Sequence, residues 1–355
     1  MLDRLNKRRR KLLWSAIKRT HINVDLFKYI INRFHILCHN RMKNTRIPHP
    51  TNAMVELGNV CNLHCLMCPR EYQYGHEMDK GFMPLDMAKH VIDELIPYLD
   101  SIGLTGLGET LLYPHLLEIV RYIKKKKPSV VTTISTNAHF EGYWERMESL
   151  LPYLDNVQFS VDGVGKVYET IRPRTDFQQI SANIDKTIHA APHVQYMLNF
   201  VISDKNYHDM QNVVEFAHSK GIEFVNFNCM SIASMPDKSR KFYEFFKSGK
   251  FRAACEQVKK YANKYVNMEV TGMQYPEQGQ FKDCIFPWSY PYITWDGYYV
   301  PCCGKPFPKL LNFGNVFSDG GVMKVLNSKK AQAFRKQWQA NHAPSFCHNC
   351  QLVDF

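Results

Sequence analysis

The chain reads MVELGNVCNLHCLMCP over residues 54–69, and this stretch decides the fold. It begins with a short apolar run, typical of a buried strand, and continues into a loop that carries Cys61, Cys65 and Cys68. In barrel-like α/β folds, the loops at the carboxyl ends of parallel strands carry the chemistry. The stretch therefore predicts a parallel α/β sheet with a metal site at that edge.

The cysteine spacing C-x3-C-x2-C favours an iron–sulfur cluster. Cubane clusters take thiolate ligands, and three thiolates leave one of the four irons open to another molecule. The alternative is a zinc site completed by His64, although zinc motifs usually pair two C-x2-C units. We expect Cys61, Cys65 and Cys68 to be the metal ligands.

Residues 51–230 alternate short apolar runs with longer helical patterns. The apolar runs lie at 54–57, 101–105, 130–135, 156–161, 196–202 and 222–228, and the helical patterns lie at 84–99, 114–127, 141–151, 176–190 and 207–219. Such alternation predicts βαβ units that curl into a partial (β/α)6 barrel similar to a TIM barrel.

The last part of the chain predicts a small cysteine-rich domain. Residues 231–280 read as a helical bridge, and residues 281–355 are rich in cysteine and turns. Within the second region, Asp296-Gly297 between two aromatic runs predicts a hairpin. A second metal site is predicted there, with a structural zinc ribbon as the alternative; its candidate ligands are Cys284, Cys302, Cys347 and Cys350.

Nearly all of the net charge of +12 lies in residues 1–50, which hold thirteen Lys and Arg against two Asp. This segment predicts a basic amphipathic helical extension, in which Phe27, Ile30, Ile31, Phe34, Leu37 and Cys38 recur at helical spacing. The extension either caps the next domain or docks through residues 1–45 on an anionic membrane. Few aromatic residues separate the charges, so we expect no nucleic-acid partner.

The cysteine content and the opening stretch favour a cytoplasmic protein. The first residues are too densely charged for the apolar core of a secretory signal, and no run reaches the ~18 apolar residues of a spanning helix. Grouped cysteines in a reducing compartment more often bind metal than form disulfides. We expect a cytoplasmic location, with peripheral contact to the inner membrane surface if the extension docks.

Further segments make the chain resemble the radical S-adenosylmethionine (SAM) superfamily. Gly106–Thr110 (GLGET) is similar to its G-G-E-P stretch, 135–137 to its S-T-N segment, and 160–163 to its S-I-D-G segment. Met67 stands where an aromatic residue is common, and Thr110 replaces the usual proline. The resemblance implies that SAM is bound by Gly108, Glu109, Ser135, Asn137, Ser160, Asp162 and Arg172, the last of which has a substrate carboxylate as its alternative partner.

The resemblance also implies the type of chemistry. A reduced [4Fe–4S] cluster cleaves SAM to a 5′-deoxyadenosyl radical, which abstracts hydrogen from a small-molecule substrate held in the barrel. An electron donor such as flavodoxin or ferredoxin is implied as a partner.

The C-terminal cysteines resemble the SPASM or twitch extension, with spacings like those of the 2-deoxy-scyllo-inosamine dehydrogenase twitch. This implies a second, auxiliary [4Fe–4S] cluster, with Cys303 as the alternative to Cys302. Because four thiolates saturate a cluster, its expected role is to accept an electron, which favours net oxidation of a sugar, cyclitol or nucleotide-linked substrate. The alternatives are a peptide-modifying maturase and an epimerase, in which the catalytic residue Cys229 returns a hydrogen atom.

Overall fold

We describe the protein from a computed structural model, which covers residues 24–42, 44–230, 239–273, 284, 286–340, 342 and 344–347. Two predictions fall outside these ranges: the first 23 residues of the N-terminal extension and the predicted metal ligand Cys350.

The strands alternate with helices along most of the chain. The strands are β1 (Asn52–Val55), β2 (Ser101–Gly103), β3 (Val131–Thr136), β4 (Asn156–Ser160), β5 (Gln195–Ile202), β6 (Phe224–Cys229), β7 (Glu269–Gly272), β8 (Tyr292–Ile293) and β9 (Tyr299–Val300). The helices are α1 (Val24–Met42), α2 (Gln73–His76), α3 (Leu85–Leu95), α4 (Leu116–Lys126), α5 (Tyr143–Leu150), α6 (Lys166–Ile171), α7 (Phe177–Ala190), α8 (Met210–Ser219), α9 (Ser239–Lys247), α10 (Gly249–Ala262), α11 (Phe286–Ser289), α12 (Val322–Leu326) and α13 (Lys329–Gln339).

The nine described strands form one open sheet in the order β7-β6-β5-β4-β3-β2-β1-β8-β9. Strands β1 to β7 are parallel to their neighbours, β8 is parallel to β1, and β9 is antiparallel to β8. Parallel neighbours need crossover connections, and helices supply them between successive strands. The predicted α/β architecture with a parallel barrel-like sheet is confirmed.

The hydrophobic core lies between the sheet and the helices that cover one of its faces. Ile134, Val157 and Val225 on the strands are fully buried and share one apolar cluster with Ile119 of α4 and Val213 of α8. Because side chains alternate along a strand, the residues between these positions project from the opposite face, away from the helices.

One strand differs from the pattern in the sequence. Strand β7 lies within the region that reads as a helical bridge, because its residues are half-buried or exposed and lack a strong apolar run. The hairpin at Asp296-Gly297 is confirmed, with Gly297 at a φ of +87° that favours glycine. Its first strand, β8, extends the barrel sheet beside β1.

Candidate functional site

The three-cysteine loop follows β1 and contains a turn that is held by a backbone hydrogen bond. The Cys68 N–H donates to the Cys65 carbonyl at 3.0 Å, and the chain then enters a 3-10 helix at Pro69–Glu71. All three cysteines are free and half-buried, and burial together with the neighbouring Cys65 and Cys61 raises the pKa of Cys68 to about 12. Across the described ranges, no three His, Cys, Asp or Glu side chains already surround a common point as metal ligands. The three thiols of the loop are therefore close to one another, but they do not surround a common point as the ligands of a bound metal would.

The loop after β2 is pressed against the cysteine loop. A Cβ added to Gly108 would lie 2.5 Å from the Gly58 oxygen and 2.6 Å from the Val60 oxygen, closer than real Cβ atoms approach. The next residue, Glu109, donates its N–H to the Val60 carbonyl at 2.9 Å. Gly108 therefore sets the close spacing of the two loops, which a larger residue would open.

Glu109 and Asn137 connect the loops after β2 and β3 to the cysteine loop. The Glu109 carboxylate accepts the N–H groups of Leu111 at 3.1 Å and Asn137 at 2.8 Å. Burial raises the pKa of Glu109, and these two hydrogen bonds oppose that shift. Nδ2 of Asn137 donates to Oδ1 of Asn62 at 3.0 Å and lies 4.0 Å from the Cys61 sulfur. These predicted SAM-binding residues are thus in contact with the cysteine loop.

Asp162 and Arg172 form a buried ion pair beside the same loop. The Nε and Nη2 groups of Arg172 donate to Oδ2 of Asp162 at 2.8 and 2.6 Å, and Oδ1 of Asp162 accepts the Val201 N–H at 2.7 Å. Burial raises the pKa of Cys65, and the nearby Arg172 charge partly offsets that effect. Ser160, the last residue of β4, is half-buried. Arg172 therefore places a positive charge next to Cys65, and its partner Asp162 opposes the effect of that charge.

Two buried polar atoms near the cysteines have no hydrogen-bond partner among the described residues: Nη1 of Arg70 and the hydroxyl of Tyr168. Arg70 is only 5% exposed, and its charge acts on Cys61 and Cys68. Tyr168 is fully buried and interacts electrostatically with Cys65. Buried donors in folded proteins nearly always have an acceptor, so these two groups fit a ligand of the cysteine loop that carries acceptor atoms.

The face of the sheet away from the helices carries a row of uncharged polar side chains. Oε1 of Gln158 accepts hydrogen bonds from Ser135 Oγ at 3.2 Å and from Asn199 Nδ2 at 2.7 Å. The row continues as Asn226 Nδ2 donates to Asn199 Oδ1 at 3.2 Å and Thr271 Oγ1 donates to Asn226 Oδ1 at 3.0 Å. All five side chains, here called the polar ladder, are half-buried. The ladder lines the inner face from β3 to β7.

Three of the described C-terminal cysteines, Cys284, Cys302 and Cys303, lie near one another. Hydrogen bonding from Cys303 lowers the pKa of Cys302 to about 7, and the Gly304 N–H also donates to the Cys302 sulfur at 3.2 Å. The same pairing raises the pKa of Cys303, on which Cys284 also acts. Both adjacent cysteines therefore lie at this site.

Lys305 ties the segment of Cys302 to the end of the described chain. Its side chain is 7% exposed, and its ammonium group donates to the Phe346 carbonyl, next to Cys347. The Lys305 charge also contributes to the lowered pKa of Cys302. A buried cation thus stands between two of the predicted ligands.

Glu56, which the sequence analysis did not identify, joins the two cysteine regions. Its Oε2 accepts the Leu107 N–H at 2.8 Å and the Tyr292 hydroxyl at 2.5 Å, and its Oε1 accepts the Trp295 N–H at 3.4 Å. Glu56 is fully buried, and burial raises its pKa to about 7. Tyr292 in turn interacts with Cys303. The sequence did offer one indication of this role, because Glu56 is the one charged residue in the apolar run at 54–57.

Cys229 lies on the core face of β6. It shares a face of β6 with Val225 and Phe227, in the apolar core. Burial raises the pKa of its thiol, and Cys255 of α10 adds to the shift. This placement favours packing over hydrogen donation, which stays a prediction.

Several curated proteins match parts of the chain, and two are described here. The UPF0026 protein of Helicobacter pylori is 28% identical over 116 residues, which are 31% of this chain and 37% of that protein. The probable GTP 3',8-cyclase of Sulfurisphaera tokodaii is 29% identical over 177 residues, or 48% of this chain and 52% of that protein. The chain thus spans between about a third and about half of the length of these relatives.

Among solved structures, the chain is similar to SuiB of Streptococcus suis. The complex of SuiB with its precursor peptide SuiA gives a TM-score of 0.64 at 17% identity, covering 85% of this chain and 69% of that one. SuiB bound to S-adenosylmethionine gives 0.62 at 15% identity, covering 94% and 75%. At this identity the likeness supports the fold alone.

The residues present fit iron–sulfur clusters. Neighbouring thiols are the ligands that such clusters take, and the unpartnered donors of Arg70 and Tyr168 beside the first set suit acceptor atoms such as cluster sulfur. At the second set, the N–H of Gly304 and the charge of Lys305 both favour a thiolate at Cys302.

Two family models match the chain and together cover more than half of it. The model of the radical SAM superfamily matches residues 55–217, which include the three-cysteine loop. The model of the SPASM iron–sulfur cluster-binding domain matches residues 284–351, which include the second set of cysteines. The chain therefore belongs to the radical SAM superfamily of enzymes and carries a C-terminal SPASM domain.

Proposed function

We propose that this enzyme oxidises an alcohol carbon of a small, uncharged polyhydroxylated substrate, such as a sugar or a cyclitol. The observation that carries the substrate class is the polar ladder, whose hydroxyl and amide groups line the inner face of the sheet without one charged member. Hydroxyls and amides both donate and accept hydrogen bonds, as substrate hydroxyls do. A nucleotide-linked sugar would place its sugar on the ladder and its phosphates beyond it.

The three-cysteine loop is the site we assign to the radical-forming cluster. Cys61, Cys65 and Cys68 would hold a [4Fe–4S] cluster with one iron left for SAM. When bound and reduced, the cluster supplies the electron that cleaves SAM to the 5′-deoxyadenosyl radical. Reduction needs an electron donor such as flavodoxin or ferredoxin, so we place the enzyme in a reducing cytoplasm.

The residues around the loop divide into contact and positioning groups. We assign Arg172 to the SAM carboxylate, since its charge lies next to Cys65. Asn137 and Ser160 stand at the ends of neighbouring strands and are assigned to other polar groups of SAM. Glu109 and Asp162 instead position them, because neighbouring groups already occupy both carboxylates.

The second set of cysteines accounts for the oxidation. Cys284, Cys302, Cys347 and Cys350 would hold an auxiliary [4Fe–4S] cluster in which thiolates saturate every iron, so it suits electron acceptance. An alcohol that has lost one hydrogen atom becomes a carbonyl by releasing one proton and one electron, and this cluster supplies the acceptor. Support for coupling comes from Glu56, which connects the loop after β2 to Tyr292 beside the second set.

The test is anaerobic turnover in deuterated water with SAM and a panel of neutral cyclitols, hexoses and nucleotide sugars. We expect a product lighter than its substrate by two hydrogen atoms, formed with 5′-deoxyadenosine and free of solvent deuterium on carbon. A product of unchanged mass that carries deuterium would assign epimerisation instead, and turnover of peptides alone would assign a maturase.

The polar ladder can be tested separately from the reaction type. Truncation of Asn199 or Asn226 to alanine should raise KM for the substrate by about tenfold, the effect of one lost hydrogen bond. The control is Gln178→Ala, which removes an exposed amide on α7 and should leave KM unchanged. An unaltered KM in both ladder variants would remove the ladder from substrate binding.

A further inference from the structure

Helix α1 is attached to the barrel through its polar side. Asn32 is 3% exposed and exchanges two hydrogen bonds with the His49 backbone, at 2.9 and 3.1 Å. The Tyr29 hydroxyl donates to Asp100 at 2.7 Å, and Arg33 forms an ion pair with the same carboxylate. An amphipathic helix usually buries its apolar stripe against the core, so this attachment is inverted.

The opposite side of α1 presents large apolar side chains to solvent. We call it the apolar face; its members are Phe27 (66% exposed), Ile30 (56%), Ile31 (42%), Phe34 (65%) and Leu37 (56%). They recur at the spacing of one helix side and so form one stripe. Exposed apolar side chains scattered singly are normal, but a contiguous patch of this kind marks an interaction site.

The positive charge of residues 1–50 indicates which kind of partner the apolar face binds. Residues 1–50 hold thirteen Lys and Arg against two Asp, whereas the rest of the chain is nearly neutral. A second copy of the chain would bring the same positive charge to the interface and be repelled. An anionic lipid surface offers both an apolar layer and the opposite charge.

We propose that the apolar face of α1 docks the enzyme on an anionic membrane, with its stripe inserted at the headgroup level. Within the part of the chain that the structure describes, no helix has the length and hydropathy to cross a bilayer. The attachment we propose is peripheral. It is independent of the reaction type proposed above, because no residue of α1 belongs to either cysteine site.

The first experiment measures sedimentation of the full chain with lipid vesicles. One set contains phosphatidylcholine with about a third of phosphatidylglycerol, and the other contains phosphatidylcholine alone. We expect binding to the anionic vesicles to be at least about tenfold tighter, and to weaken as salt screens the charges. Failure of the wild-type chain to sediment with anionic vesicles would overturn the proposal.

The second experiment distinguishes binding through the apolar face from non-specific binding through other exposed apolar residues. The triple variant Phe27→Ser, Ile30→Ser, Phe34→Ser should bind anionic vesicles at least about tenfold less tightly, because three inserted side chains are lost. The matched control is Val266→Ser with Leu310→Ser, since these apolar residues are also exposed (99% and 38%) but lie outside α1. Both variants should keep the iron content and 5′-deoxyadenosine formation of the wild type.

Two outcomes would contradict the assignment to lipid. One is a triple variant that sediments like the wild type. The other is a concentration-dependent dimer, measured by analytical ultracentrifugation, that the triple variant abolishes, which would assign the face to a second copy.

Discussion

The two cysteine sites of this enzyme are built in opposite ways. The first takes its cysteines from one short loop, Cys61–Cys68, at the end of β1. The second draws on residues spread along the chain from Cys284 onward, and its described members come from separate segments. The first therefore depends on local backbone geometry, and the second depends on the tertiary fold.

The charged neighbours of the two sites differ as well. Beside the first loop stand Arg172, paired with Asp162, and Arg70, whose Nη1 has no hydrogen-bond partner. Beside the second stands Lys305, which already donates to a backbone carbonyl. The first site thus keeps donor capacity for bound groups, as expected where SAM must be held. At the second site, Lys305 instead connects two segments of the protein through its hydrogen bond to the Phe346 carbonyl.

The largest effect should follow from breaking the first site alone. Cys65→Ala should lower iron from about eight to about four per chain and reduce 5′-deoxyadenosine formation to background, because one ligand of three is lost. Iron analysis and chromatography of the products measure both. Cys38→Ala, which alters a free cysteine on α1, is the control and should change neither. Full iron and activity in Cys65→Ala would contradict the ligand assignment.

A smaller and more selective effect should follow at the second site. Cys302→Ala should again lower iron to about four per chain, yet leave SAM cleavage largely intact, because the first cluster remains. Cys303→Ala is the matched neighbour and should retain about eight. We prefer Cys302 because the Gly304 N–H donates to its sulfur. The reverse result in the two variants would assign Cys303 as the ligand.

Arg70 tests whether the unpartnered donor serves the bound cluster. Arg70→Met should lower the midpoint potential of the first cluster by tens of millivolts, because a hydrogen bond and a positive charge that favour the reduced form are lost. Arg70→Lys should shift it less. In the iron-free protein, Arg70→Met should unfold no more easily than the wild type, since a buried donor without a hydrogen-bond partner among the described residues is removed.

Spectroelectrochemistry and urea unfolding measure these two quantities. Arg121→Met, an exposed arginine on α4, serves as the control for charge alone. An unchanged potential in Arg70→Met would mean that Arg70 does not contact the cluster.

Glu56 should give the smallest effect, a pH dependence of stability. Its folded pKa, about 7, lies above the ordinary 4.5, so the folded chain holds a proton that the unfolded chain releases. This contribution to stability is complete below about 4.5 and is lost as the pH rises through about 7, with an upper bound of about 3 kcal/mol. Glu56→Gln lacks it.

Urea unfolding at about pH 5 and about pH 8 tests this linkage. The wild type should lose free energy of unfolding relative to Glu56→Gln between the two values. A constant difference between the two proteins would show that Glu56 does not change its protonation in this range.

The sequence locates the three-cysteine loop because the information that specifies it is local. Periodicity locates β1 to β6, and the cysteine spacing locates the loop within a few residues. Glu109 and Asn137, which the likeness of further segments to a known family singles out, lie in contact with the same loop.

What the sequence does not reveal depends on pairing between distant segments. Strand β7 exists because it pairs with β6, and its own pattern is weak. Glu56 and Tyr292 are 236 positions apart, and only the fold makes them partners. The sequence also does not predict which side of α1 packs on the barrel, because an apolar stripe can be covered by protein or by lipid.

The central claim is that the loop at Cys61–Cys68 starts radical chemistry with SAM. Its most direct test is the anaerobic reduction of the reconstituted enzyme in the presence of SAM, with measurement of 5′-deoxyadenosine. The account predicts that the nucleoside forms only while all three cysteines are present. Absence of 5′-deoxyadenosine from a wild-type preparation with both clusters intact would contradict it.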